Sequence, residues 1–234
     1  MLSFHSGNKM RRIHDTIMFL PSLSLSQRWQ EGPLLSHPRS RKQNPNFSPS
    51  LLHALKETHD RTPTPEEVFH YLYAVLYSPT YRAKYAQFLK TDFPRVPFTE
   101  DQKLFTKITH IGKRLVDLHL LKSPELDRPI ARFQEHGNNK VEKQRYDEKA
   151  KRVYINKAQY FEGVQPEVWE YQIWGYQVLD KWLKDRKDRS LNLEDIRHYC
   201  RVVTALAKTI EIQSEIDILY PQVEKDILVF HPEG

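Results

Sequence analysis

Three features of this 234-residue sequence predict an α+β domain in which long helices flank a small, irregular antiparallel sheet. Leu104, Ile108, Ile111, Leu115 and Leu118 recur at helical spacing for about five turns. Ile196, Tyr199, Val203, Leu206, Ile210 and Ile216 hold a second stripe for about seven turns. Between them, from Pro129 to Ile173, bulky and polar residues alternate in short runs separated by turn formers, the period of half-buried strands. No internal repeat interrupts this order.

Residues 1–43 are rich in Ser, Pro, Arg and His without a sustained period, and read as disordered. Ser48 to His59 can form a short helix with Leu51, Leu52 and Leu55 on one face. Thr64-Pro65-Glu66-Glu67 is a helix start, with Thr64 as cap, Pro65 in the first turn and Glu67 closing a capping box. That helix turns Val68, Leu72, Val75 and Leu76 inward, and Ser78-Pro79 stops it. Tyr81 to Leu89 is expected as one further helix. Phe93 to Pro97 holds two prolines, so it is an extended connector. Thr99 with Gln102 is expected to cap the first long helix, which Pro124 closes.

In the β region, Arg152 to Asn156 places Val153 and Ile155 on one face and Arg152, Tyr154 and Asn156 on the other. Tyr160-Phe161 and Val168 to Ile173 are expected as further strands. Gly175 breaks the last one. Val178, Leu179, Trp182 and Leu183 then return to helical spacing, with Trp169 and Trp182 read as core. Asn192 opens the longest helix, expected to end before Pro221, and residues 223–234 are expected as a tail.

Composition narrows the function. Hydrophobic residues at 39% and aromatics at 12% allow a real core. A net charge of +6 points to a polyanionic partner, nucleic acid ahead of a membrane surface. The single cysteine, Cys200, admits no intrachain disulfide and reads as a small core residue. No run approaches the roughly 18 apolar residues of a membrane span. Ile13 to Leu25 follows two arginines but is broken by Pro21 and serines, so it is not a signal peptide, and the chain reads as cytoplasmic. Catalytic signatures are missing: no glycine-rich phosphate loop, no Gly-x-Ser-x-Gly elbow, no Cys-x-x-Cys and no His-Glu-x-x-His. The eleven histidines fall at no metal-ligand spacing.

Three stretches carry a resemblance. Ile173 to Lys187, I-W-G-Y-Q-V-L-D-K-W-L-K-D-R-K, is similar to the signature of the C-terminal target-recognition domain of Type I single-polypeptide (ISP) restriction-modification enzymes. Glu66 to Arg82 and Phe88 to Phe98 resemble the same family, in the family's order, over about residues 44–222. The resemblance implies a specificity domain that reads double-stranded DNA for an adenine-N6 methyltransferase. The methyltransferase's Asn-Pro-Pro-Tyr-type motif and S-adenosylmethionine loop are not in this sequence, so no cofactor, metal site or catalytic residue is expected in the chain itself. It further implies a truncated or split enzyme, with a methyltransferase or nuclease domain or subunit as partner.

The reading surface is expected within Arg132 to Tyr160. Lysines and arginines suit phosphates, while Arg, Asn and Gln can pair with base edges. The candidates are Arg132, Lys140, Lys143, Gln144, Arg145, Lys151, Arg152, Asn156 and Lys157, with Lys184 and Arg186 as phosphate contacts in the following helix. From the residues alone this span reads as a solvated hairpin, because Glu135, Glu142, Asp147 and Glu148 dilute its charge. The resemblance turns that reading towards DNA contact. The rival function is a helical protein-interaction module, docking a partner on the two long stripes.

Overall fold

The computed structural model describes residues 47–173 and 175–229. The expectation for residues 1–43 lies outside the described residues. The chain begins with α1 (Pro49–Thr58), which buries Leu51 and Leu55. The expected capping box then opens α2 (Pro65–Tyr77): the Thr64 hydroxyl accepts from Glu67 N–H, and the Glu67 carboxylate accepts from Thr64 N–H. Arg61 grips the same carboxylate through both guanidinium nitrogens at 2.8 Å and holds its pKa down to about 2.

Ser78, fully buried, ends α2 and caps α3 (Pro79–Lys84). The expected helix from Tyr81 to Leu89 is two short pieces, α3 and α4 (Phe88–Thr91), with a break between them. Only Tyr81 is buried in this stretch, so no apolar stripe holds a longer helix to the core. The Phe93–Pro97 connector is irregular, as expected.

The first long helix, α5 (Gln102–His119), is capped by Asp101, not by Thr99 with Gln102. The Asp101 carboxylate accepts from the Lys103 and Leu104 amides at 2.7 and 3.2 Å. Thr99 is committed elsewhere: it is fully buried and bridges to Ile227, while the Gln102 amide donates to the His59 carbonyl. Helices α2 and α5 meet at Gly112, where a Cβ would lie 1.9 Å from the His70 carbonyl oxygen. Only a glycine permits that approach.

A four-stranded antiparallel sheet follows, built from β1 (Arg132–Gln134), β2 (Arg145–Asp147), β3 (Arg152–Tyr154) and β4 (Tyr160–Glu162) in the order β1-β4-β3-β2. The expected strand from Val168 to Ile173 forms differently. Pro166–Trp169 is a one-turn helix, α6, and only Gln172–Ile173 (β5) is strand, paired with Tyr176–Gln177 (β6). Pro166 starts the turn at a position that needs no N–H, and Val168 anchors it in the core, so the alternation there was not strand pleating. Gly175, at φ +80°, makes the hairpin turn where the period was expected to change.

After α7 (Val178–Lys184), the Asn192 capping box with Asp195 opens α8 (Leu193–Lys225). At 33 residues α8 is about 50 Å long. It does not end before Pro221. Tyr220 and Val223, on either side of the proline, are fully buried, and that packing outweighs one missing backbone bond. Beyond it the chain runs back along the connector, with Leu228 N–H donating to Phe98 O at 2.7 Å and Glu100 N–H to Asp226 O at 2.9 Å.

Helix α8 is the spine of two cores. Ile212, Ile216, Leu219 and Tyr220 join α1, α2 and α5 in the first, where the Tyr71 ring stacks between Phe98 and Phe105. Tyr199, Val202, Val203 and Leu206 join the inner sheet face, α6 and α7 in the second, around Phe161 and Trp182. Both long stripes are therefore spent inside the molecule, so neither is a surface for docking a protein partner.

Candidate nucleic-acid interface

Strand register decides what the sheet presents. Phe133, Phe161, Val153 and Tyr146 are cross-strand partners and form the inner face. Because side chains alternate, the residues on either side of each point outward. One outer row reads Arg132, Glu162, Arg152, Asp147, and the next reads Gln134, Tyr160, Tyr154, Arg145. The outer face is thus three arginines and two tyrosines, with a glutamine and two carboxylates.

The arginines lie over the tyrosines. The Arg145 guanidinium is 4.2 Å from the Tyr154 ring centroid, and that of Arg152 is 4.3 Å from the Tyr160 centroid. The two rings sit 5.2 Å apart. Such stacking orients a guanidinium without using its N–H donors. Carboxylates steady the same groups from the side: Glu162 lies 3.8 Å from Arg152 and accepts from Gln134 at 2.7 Å, and Asp147 lies 3.8 Å from Arg145. The Arg152 pKa is raised, chiefly by hydrogen bonding to Tyr154. Arg132 is exposed at the edge of this face. Beside Arg132 and Arg152, a cleft of about 300 Å³ is lined by Lys151 and Gly163.

The remaining candidates separate by position. Lys151 and Lys157 stand exposed on the β2–β3 and β3–β4 turns, and Lys143 is exposed just before β2. Lys140 is half-buried, its backbone bridged to Ser190 and its ammonium 3.7 Å from Asp188. Gln144 donates to Asp180 at 3.1 Å, and the same carboxylate pairs with Lys184 at 2.5 Å. Asp180 thus ties Gln144 to Lys184, the last residue of α7.

Two candidates are engaged within the protein itself. Asn156 donates to the Lys140 carbonyl and Gln159 Oε1 through its amide and accepts from the Ala158 and Gln159 amides, so it builds the turn. Arg186 is 8% exposed, stacked 3.7 Å from the Trp182 ring centroid and paired with Asp195 at 3.5 Å. Burial lowers its pKa, with Asp195 opposing. It is packed into the core rather than presented at the surface. The pairing of Arg145 and Arg152 with tyrosines of neighbouring strands was the part that spacing along one strand does not show. Tyr160, the last residue of the expected span, and Gln134, which was not singled out, complete the face.

Among the described residues, no His, Cys, Asp and Glu side chains gather as a metal site, and no helix is long and apolar enough to cross a membrane. Cys200 is buried, and its thiol is pushed up to about 11 by that burial.

Comparison with known proteins adds three similar solved structures. A nuclease-deletion mutant of the Type ISP restriction-modification enzyme LlaGI, in complex with a DNA substrate mimic, is 24% identical over 66% of this chain and 14% of its own, with TM-score 0.50. The DrdV–DNA complex is 22% identical over 70% and 19%, with TM-score 0.58. The ATP-dependent Type ISP restriction-modification enzyme LlaBIII bound to DNA is 19% identical over 70% and 12%, with TM-score 0.51. Their fold is shared, and this chain spans less than a fifth of each. No curated protein matches. The model of the Type ISP C-terminal specificity domain matches residues 10–215. With most of its length matched, and with the α+β architecture of the similar structures, this chain belongs to the Type ISP C-terminal specificity domain family.

Proposed function

We propose that this chain is the DNA-recognition part of a Type ISP restriction-modification system and that it contacts duplex DNA through the outer face of its four-stranded sheet. The observation that carries this is the pair of outward arginines stacked on outward tyrosines, Arg145 on Tyr154 and Arg152 on Tyr160. Stacking holds each guanidinium in place while leaving N–H donors for phosphate oxygens. Arg132, Lys143, Lys151 and Lys157 surround that face and supply the phosphate contacts. Family membership and the DNA-bound state of the similar structures support the reading.

The chain acts without a catalytic group or cofactor of its own. Methyl transfer from S-adenosylmethionine belongs to a methyltransferase domain or subunit, which this domain places on its target. The test is a salt titration of duplex binding. Affinity should fall steeply with salt, and replacing Arg145 and Arg152 together by Ala should weaken it. Absence of duplex binding at low salt, or affinity indifferent to salt, would sink the proposal.

A further inference from the structure

The loop from Glu135 to Lys140, which leaves β1, is built more rigidly than a connection requires. Glu135 (φ 73°) and Asn139 (φ 55°) are both left-handed without being glycine. Beneath them lies Gln159, 1% exposed, with both ends of its amide in use. Its Nε2 donates to the Glu135 carbonyl at 3.2 Å and to Asn139 Oδ1 at 2.7 Å. Its Oε1 accepts from the Asn139 amide at 2.8 Å and from Asn156 Nδ2 at 3.1 Å. A Cβ on Gly137 would fall 2.6 Å from that Oε1, so the loop backbone rides directly on the amide. The loop's exit is stapled to the strip before α8: Leu191 N–H donates to Asn139 O at 2.9 Å and Val141 N–H to Arg189 O at 2.9 Å.

What this scaffold turns outward is polar. Glu135, His136 and Asn138 are exposed, and the Asn138 oxygen accepts from the Lys140 amide. The loop borders a groove of about 570 Å³ that also meets Phe133, Gln134 and Ile196. It follows directly on Gln134, the β1 member of the outer row of Gln134, Tyr160, Tyr154 and Arg145. Strained backbone persists where its surroundings over-determine it, and a buried amide is tolerated where every partner is present. A phosphate clamp would need cations, and this loop has one lysine, itself beside Asp188. Donors and acceptors held in fixed places are what base edges require.

We propose that the Glu135–Lys140 loop is a sequence-reading element, with His136 and Asn138 meeting base edges and the buried Gln159 as its positioning residue. This rests on the DNA reading above. It divides the labour: the arginine–tyrosine face holds the duplex, and the loop discriminates among sequences.

The test uses the whole 234-residue chain. A preferred duplex is selected from a random pool, and affinity is then measured for it and for a scrambled duplex at one salt concentration. Replacing both His136 and Asn138 by Ala should lower the ratio of the two affinities about ten-fold or more, leaving scrambled-duplex affinity and melting temperature unchanged. Gln159→Glu keeps the shape and the acceptor but loses the two Nε2 donations. It should lower the same ratio while scrambled-duplex affinity holds, a pattern that general unfolding does not give. Arg145→Ala should weaken both duplexes alike. A ratio unchanged in the surface double variant overturns the proposal even if the Gln159 variant fails to fold. So does a selection that returns no preferred sequence from a chain that binds DNA. A chain that binds no duplex at all overturns the underlying DNA reading instead, and the loop's role with it.

Discussion

The guanidinium of Arg186 lies 3.7 Å from the centroid of the Trp182 ring, inside the second core. Its Nη1 donates to the Trp182 carbonyl at 3.2 Å, and Asp195, the residue that closes the α8 capping box, neutralises it. One cation therefore ties α7 to the start of α8. Removing it leaves Asp195 and the indole without their partner, so Arg186→Ala should cost about 3 kcal/mol. Trp182→Ala, which opens a cavity at the same point, should cost about 3–5 kcal/mol. Lys184→Ala, two residues away but exposed, should stay within about 0.5 kcal/mol. Urea unfolding of the three variants checks the order. Equal stability of the Arg186 and Lys184 variants would contradict the burial.

Gly112 makes the sharpest steric prediction. Alanine gains about 1 kcal/mol of helix propensity over glycine, yet its Cβ would lie 1.9 Å from a backbone carbonyl that no rotamer can move. Helices α2 and α5 must part, so Gly112→Ala should be net destabilising by about 2–3 kcal/mol. A raised denaturation midpoint would show that the two helices are not pressed together there.

His119 should make stability depend on pH. Its Nδ1 lies 2.8 Å from the Tyr73 hydroxyl and its Nε2 lies 2.9 Å from Thr209 Oγ1. Thr209 gives its own proton to the Ala205 carbonyl, so Nε2–H donates to Thr209 and Nδ1 accepts from Tyr73. This is a neutral imidazole, and burial lowers its pKa from 6.5 to about 4. The unfolded chain binds the proton first, so stability is full above pH 6.5 and declines as the pH falls towards 4, by about 3 kcal/mol from this residue. Burial also lowers the pKa of His59, His70 and His198, which adds in the same direction. His119→Gln should flatten the decline relative to the parent, measured by urea unfolding at a series of pH values. An unchanged slope would show that His119 is not the buried neutral base.

On the interface, Lys143, Lys151 and Lys157 should behave differently from the stacked arginines. Each lysine that meets a phosphate should reduce the slope of log affinity against log salt by about 0.9 when replaced, for any sequence. Arg152→Ala also uncovers Tyr160 and frees Glu162, so it should lose more affinity than any single lysine variant. Equal losses would mean that stacking on tyrosine confers nothing.

Much of this was legible in the order of residues. Helix starts at Thr64 and Asn192 are local chemistry, a side chain and the amides within three residues of it, so spacing reveals them. The two long stripes and the inward Val153 and Ile155 follow from helix and strand periods, and the α+β class follows from their order.

Other features needed the folded chain because their causes are distant residues. Thr99 was taken from its cap by Ile227, and α8 runs through Pro221 because burial of its neighbours outweighs a missing donor. Arg186 reads as a surface cation in a run of basic residues, and only the packing of Trp182 and Asp195 around it makes it core. Asn156 has the donor and acceptor of a base reader, but Lys140 and Gln159 occupy them. The outer face itself is a product of register. A strand's own sequence places Arg152 and Tyr154 on one side, but the tyrosine under Arg152 belongs to another strand. Pairing across strands is a long-range choice settled by packing of the inner face, and it decided which cations stand together.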